Sequence, residues 1–191
     1  VFLQGRSSNT RRNLRRFEKG FFAAFEGRFR IRTYNAPAEA DTIATSLEQI
    51  ARSTYHRGLG AGFVDTPLQR ALLAQGLRTG CYRAYVLELD GRPIAFWDGR
   101  TCRGTFHTET TGYLPEFQEQ RPGWFLLMHI VHELCCEPGV DRIDFGIGDA
   151  QYKQMLCDDT EDEQPLVLFA PSLRGRALRA AQSASWSSPT L

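Results

Sequence analysis

The sequence predicts a single α/β domain, with a mixed, mainly antiparallel central sheet flanked by helices. Three observations lead there. Three short strand-like runs follow one another within residues 82–111, too closely spaced for anything but tight turns between them. Stretches with helical spacing of apolar residues lie on either side, at 37–54, 66–77 and after Pro122. A strand–glycine–helix unit, V-D-R-I-D-F-G-I-G-D-A-Q-Y-K, occupies residues 140–153. With 191 residues, 42% of them hydrophobic, the chain holds enough apolar surface for one core.

Taken in order, residues 8–19 read as a helix with Leu14, Phe17 and Phe21 on its apolar side. Arg11/Arg15 and Arg12/Arg16 repeat four apart on the other, which is the pattern of a solvated basic face. Residues 28–34 alternate arginine with Phe29, Ile31 and Thr33, a half-buried strand. Pro37 opens a helix carrying Ile43, Leu47, Ile50 and Ala51. A glycine-rich loop at 58–62 precedes a second helix, which Asp65 or Thr66 caps and Pro67 starts. Strands follow at 82–89, 93–98 and 104–111, the first two joined by Asp90-Gly91. A polar loop, 114–121, leads to a helix that opens on Pro122-Gly123 and ends near Pro138-Gly139. The strand at 142–145, a short helix bearing Tyr152 and a last strand at 166–169 complete the pattern. An Arg-rich helix and a Ser-rich tail, expected to be disordered, close the chain. The domain is expected over 5–170, with the helix and tail at 171–191 outside it.

Composition narrows the function. No stretch is long and apolar enough for a membrane span and no signal-peptide pattern opens the sequence, whose first residue, Val1, reads as that of a fragment or C-terminal module. Five scattered cysteines do not suggest a disulfide framework and point to a reducing, cytoplasmic compartment. Residues 1–32 carry nine basic and two acidic side chains, but no zinc spacing, helix-turn-helix or aromatic-interleaved reader accompanies them, so nucleic acid is not the expected partner. Lysine occurs only at Lys19 and Lys153, which makes the second of these conspicuous.

The strand–glycine–helix unit holds the densest chemistry. Asp144 lies near the carboxyl end of a strand, where ligands approach open α/β sheets. Asp149, Tyr152 and Lys153 follow within about a turn. His107 and Glu109 alternate on the neighbouring strand, either as a cross-strand pair or as a base within reach of an acceptor. The Arg121-Pro122-Gly123 helix start offers free amides and a positive dipole end to a phosphate, with Arg121 as a bidentate contact; it is equally an ordinary helix start. His129, His132, Glu133 and Cys136 share one helix, but the spacing is not a zinc motif, and no metal is expected.

The strand and helix order, together with Gly5-Arg6, Asn13-Leu14-Arg15-Arg16, D-G-R-P-I-A at 90–95, Pro122-Gly123 and D-F-G-I-G-D-A-Q-Y-K at 144–153, resembles the GNAT N-acyltransferase superfamily. Within it, these residues look like the CelD-type branch, related to FemAB-type transferases and associated with exopolysaccharide or cellulose biosynthesis. The resemblance covers about residues 5–157. It departs from the superfamily's Q/R-x-x-G-x-G/A loop, because residues 118–123 read Q-E-Q-R-P-G and Arg121 stands where the first glycine falls. Tyr55-His56 stands where the branch often has Trp-Lys.

The resemblance implies transfer of an acetyl or other acyl group from acyl-CoA to an amine or amino-sugar acceptor. Such chemistry needs a deprotonated nucleophile, a polarised thioester carbonyl and an acid for the thiolate. The candidates are Asp144 or Glu109 as base or orienting carboxylate, Tyr152 as acid and Lys153 as electrostatic stabiliser. Arg121, Pro122, Gly123 and Trp124 are the candidates for holding the co-substrate. The alternatives are an aminoacyl-tRNA-dependent FemAB-type transferase, with the arginine face on tRNA, and a catalytically inert binding module.

Overall fold

A computed structural model describes residues 2–58, 60, 62–162 and 167–186. Its elements are α1 (Ser8–Phe25), β1 (Phe29–Tyr34), α2 (Ala40–Ala51), α3 (Tyr55–Gly58), α4 (Pro67–Arg78), β2 (Tyr82–Leu89), β3 (Arg92–Cys102), β4 (Thr105–Tyr113), α5 (Pro122–Cys136), β5 (Arg142–Asp144), α6 (Gln151–Leu156) and α7 (Leu173–Trp186). The chain divides into two compact units, Val1–Cys157 and Asp158–Leu191.

The first unit is the expected α/β domain. Its sheet has the order β1-β2-β3-β4-β5, antiparallel except for the parallel β4–β5 pair. Alternation along β2 sends Tyr82 against Gly76 of α4, whereas the Tyr85 hydroxyl donates to Glu133 of α5 (3.0 Å). Helices α2 and α4 therefore cover one face of the sheet and α5 the other, with α1 packed on α5.

Local chemistry accounts for most boundaries. Ser7 caps α1, its Oγ accepting from Thr10 N (3.1 Å), and Thr66 caps α4 in the same way through Gln69 N (3.1 Å). Asp90 and Gly91 both take positive φ, 50° and 80°, as a two-residue hairpin turn requires. Helix α1 runs six residues beyond its expected end at Lys19. Phe21 and Phe25 extend its buried face, and the stacked Phe21–Phe125 pair (4.1 Å) offsets the weak helix propensity of Gly20. Strand β3 likewise continues past Asp98, and a second tight turn at Arg103-Gly104 joins it to β4.

The second unit holds α7, whose start is capped by Ser172 Oγ accepting from Gly175 N (3.1 Å). The strand expected at 166–169 does not form over Val167–Phe169, and Leu166 lies outside the described residues. A strand needs a partner for its backbone groups, and among the described residues this unit has no other strand. Of the Ser-rich tail, residues 187–191 lie outside the described residues.

Asp98 is the one buried charged residue of the described core, fully enclosed between β2, β3 and β4. Its Oδ2 accepts from the Tyr82 hydroxyl (2.7 Å), and its Oδ1 from both the amide and the hydroxyl of Thr110 (2.7 Å each). Thr110 lies on a bulge, because the step from Trp97 to Gly99 on β3 faces the longer step from Thr111 to Thr108 on β4. Burial outweighs the three donors and pushes the Asp98 carboxyl up to about 6. The folded state thus keeps a proton that the unfolded chain releases near its ordinary value. Stability from this group is present below pH 4 and is lost as pH rises to 6. With Asp98→Asn as reference, the wild type should lose about 3 kcal/mol relative to the variant between pH 4 and pH 7. Urea midpoints at several pH values measure this, and a constant difference would show that Asp98 does not titrate in that range.

Candidate active site

Strands β4 and β5 pair over only three positions, Thr105↔Arg142, Phe106↔Ile143 and His107↔Asp144. Beyond the last pair β4 continues to Tyr113, while the other chain leaves the sheet at Phe145 and turns at Gly146 (φ 69°). A cavity of about 300 Å³ is lined by Thr111, Gly112 and Tyr113 of β4, Trp97 of β3, Gly123, Trp124 and Leu127 of α5, and Thr54 and Tyr152. The Trp97 indole donates to the Gly123 carbonyl (3.2 Å) and so ties β3 to the start of α5.

Asp144 sits at the last paired position. Its Oδ1 accepts from Gly146 N (2.7 Å) and its Oδ2 meets His107 Nδ1 (2.9 Å). The Gly146 amide first, then the imidazole and the nearby Lys153, hold its carboxyl below the usual range. An ionised Asp144 fixes the proton of a neutral His107 on Nδ1 and leaves Nε2 as an acceptor. Both side chains are open to solvent, at 46% for His107 and 36% for Asp144. Thr108 Oγ1 donates to the Asp144 carbonyl (3.1 Å) and secures the same junction.

Glu109 lies two residues along β4 and accepts from Arg100 Nε (2.5 Å), whose guanidinium packs over the Tyr82 ring. Tyr152 reaches the cavity wall from α6, its ring edge-on to both Trp97 (5.3 Å) and Phe145 (5.7 Å). Burial pushes its phenol up to about 12, so it is protonated at neutral pH. Lys153 donates to the carbonyls of Gly146 (2.8 Å) and Ile147 (2.6 Å), which fastens the glycine loop to α6. Desolvation lowers its pKa.

The start of α5 differs from an open cradle of amides. Arg121 takes a left-handed conformation (φ 54°, ψ 52°) where the superfamily's loop has glycine, and only glycine enters that region without cost. Its own amide bonds to Gln118 O, and its carbonyl accepts from the amides of Trp124 (3.1 Å) and Phe125 (3.2 Å). Pro122 has no N–H, so Gly123 supplies the amide of the first turn that precedes these bonds. The Arg121 guanidinium lies over the Phe17 ring (4.2 Å), and the same ring packs against Trp124 (5.5 Å).

The structure thus brings His107 and Asp144 together, sets Tyr152, Gly123 and Trp124 on one cavity, and leaves Glu109 on Arg100. Trp97, Tyr113 and Asp98 were not singled out in the sequence. Each sits inside an apolar strand pattern, and only the invasion of that pattern by an acid could have drawn notice to Asp98. Among the described residues, no three His, Cys, Asp or Glu side chains gather as a metal would require. Glu133 instead joins Tyr85 and Arg83 in a polar contact between α5 and β2. Among the described residues, no helix is long and apolar enough to cross a membrane.

No curated protein matches the chain by sequence. Solved structures share its fold. One is an aminoglycoside acetyltransferase from an uncultured soil metagenomic sample, in complex with trehalose (TM-score 0.53, 11% identity, covering 77% of this chain and 98% of that one). A second is the aminoglycoside N-acetyltransferase AAC(6')-Iy in complex with CoA (TM-score 0.51, 16% identity, 75% and 95%). A third is a GCN5-related N-acetyltransferase from Ralstonia eutropha (TM-score 0.50, 17% identity, 72% and 98%). The family described as the acetyltransferase (GNAT) domain matches residues 8–154, and with a five-stranded sheet that opens between β4 and β5 the chain belongs to that family of N-acetyltransferases.

Proposed function

We propose that the protein transfers an acetyl or similar short acyl group from acyl-CoA to the amine of a small, polyhydroxylated acceptor such as an amino sugar. The observation that carries this reading is the cavity beside the β4–β5 opening, with Tyr152 on its wall and the His107–Asp144 pair at the last point of contact between the strands. The aromatic walls suit an uncharged acyl and amide-bearing arm. The carboxylates of Asp144 and Glu109 attract an ammonium, and two of the compared structures carry aminoglycoside acetyltransferase in their names. The resemblance to the CelD-type branch supports a saccharide acceptor in exopolysaccharide synthesis.

In this reading His107 Nε2 takes a proton from the acceptor ammonium while Asp144 holds the ring. The freed amine attacks the thioester carbonyl, an amide C–N bond forms and the C–S bond breaks. Tyr152 gives its proton to the departing thiolate. Lys153 acts by holding the loop that presents Asp144. Pro122, Gly123 and Trp124 hold the co-substrate at the cavity, with Arg121 beside its phosphates.

Saturating acetyl-CoA should raise the melting temperature by roughly 5–10 °C, since a ligand at a hundred times its Kd stabilises the native state by about 2.7 kcal/mol. A Cβ at Gly123 meets only Tyr113 Cδ1 at 3.5 Å, so Gly123→Leu folds while its longer side chain fills the cavity. That variant should lose the shift. A wild-type protein that gains no thermal stability at millimolar acetyl-CoA would refute the donor.

A further inference from the structure

We propose that α1, which precedes the first strand, supplies part of the donor's phosphate site through Arg16, paired with Arg121 across the Phe17 ring. The inference rests on the acyl-CoA reading above and adds to it a second element and a second cation.

Two guanidiniums converge on one aromatic ring. Arg121 lies 4.2 Å and Arg16 5.6 Å from the Phe17 centroid, and both are exposed. Among the described residues neither has a carboxylate partner within salt-bridge distance. The neighbours of Arg16 one turn away on α1 are Arg12, Asn13, Lys19 and Gly20, so its own helix offers no acid. The charge is also placed against the helix dipole. Helix α1 carries Arg11, Arg12, Arg15, Arg16 and Lys19 against the single acid Glu18, with no acidic residue in its first turn. Cations crowded towards a helix N-terminus disfavour the isolated fold, and an anion bound among them relieves that repulsion.

Position selects the anion. Phe17 touches Trp124 (5.5 Å), and Trp124 lines the cavity beside Gly123. The arginine pair therefore stands at the edge of the cavity that takes the acyl arm. A donor with an uncharged arm and a phosphorylated nucleotide end matches this layout in charge along its length. The single open amide of the α5 start makes a second source of positive charge necessary there. Arg11 plays a different part, since its guanidinium donates to the carbonyls of Gln4 (3.1 Å) and Arg6 (2.6 Å) and secures the chain ahead of α1.

The test compares two donors on wild type, Arg16→Gln and Arg16→Lys. One donor is acetyl-CoA and the other S-acetylpantetheine, which has the same arm without phosphates. Arg16→Gln should raise KM for acetyl-CoA about fivefold to tenfold with kcat unchanged, leave KM for S-acetylpantetheine as it was, and be partly rescued in Arg16→Lys. Equal changes for both donors, or none for acetyl-CoA, would overturn the assignment. Competition by tRNA at concentrations far below those of acetyl-CoA, lost in Arg16→Gln, would overturn it in favour of a polynucleotide. A wild-type protein that uses S-acetylpantetheine and acetyl-CoA equally well defeats the phosphate site alone, whereas one that binds neither defeats the donor reading beneath it.

Discussion

Replacing Tyr152 by Phe should lower the turnover number about 100-fold while leaving the affinity for acetyl-CoA nearly unchanged, the loss expected when a general acid is removed. The ring does the packing, edge-on to Trp97 and Phe145, and Phe keeps that ring. What disappears is a proton. Burial pushes the phenol up to about 12, so at neutral pH it is a donor that does not ionise, suited to a thiolate that gains charge only as the C–S bond breaks. A steady-state measurement of kcat beside a binding isotherm for acetyl-CoA separates the two effects. Equal weakening of binding and turnover would mean the hydroxyl serves the ground state, and an unchanged kcat would place the acid elsewhere. The same logic distinguishes Lys153, whose ammonium is engaged with two loop carbonyls.

Gly99→Ala should destabilise the protein by about 3 kcal/mol or more, the upper range for forcing atoms into a packed interior. A Cβ at this position would stand 2.3 Å from the carbonyl oxygen of His107 and 2.7 Å from Phe106 Cζ. The oxygen belongs to the backbone of the paired strand and cannot turn away without parting β3 from β4. Gly112 makes a useful control. There the Cβ would meet Phe96 Cε1 (2.8 Å) and Thr54 Cγ2 (2.9 Å), both side-chain atoms with room to rotate, so Gly112→Ala should cost less. Denaturant midpoints of both variants decide the matter, and equal midpoints would show that the β3–β4 pairing yields more easily than its geometry implies. Because the displaced carbonyl is that of His107, the Gly99 variant should also lose activity beyond its loss of stability.

Much of the fold was legible because local chemistry and burial agree. Strand β2 matches its expected bounds at 82–89, where apolar residues end at a dipeptide suited to positive φ. Thr66 and Pro67 mark the start of α4 in the sequence as in space. The failures share a cause too. Gly20 suggested an end to α1 that the long-range contacts of Phe21 and Phe25 override. At 166–169 a short apolar run carried no information about whether a partner strand existed. In the site, Asp144, Tyr152 and Gly123 stood out through neighbouring glycines and strand ends. The meeting of His107 with Asp144 depends on the register of two strands 37 positions apart, which no local pattern encodes. Arg121 was visible only as a missing glycine, and its left-handed backbone explains why glycine is the usual occupant.

The short β4–β5 ladder also shapes the order in which the molecule comes apart. Six positions join β1 to β2, and β2 to β3 to β4 is a near-continuous antiparallel meander of local hairpins. Strand β5 is held by three parallel pairs at a sheet edge, and reaching it requires the chain to close a loop through α5 first. Contacts of that kind form late in folding and open early in native-state fluctuations. Half of the site, Asp144 with the glycine loop and Tyr152, therefore rides on the least cooperative part of the sheet, while His107 and the cavity floor belong to its most persistent part. Catalytic geometry in this enzyme is then an equilibrium property, renewed each time the edge strand closes, and a ligand spanning both halves adds the cooperativity that three backbone pairs lack.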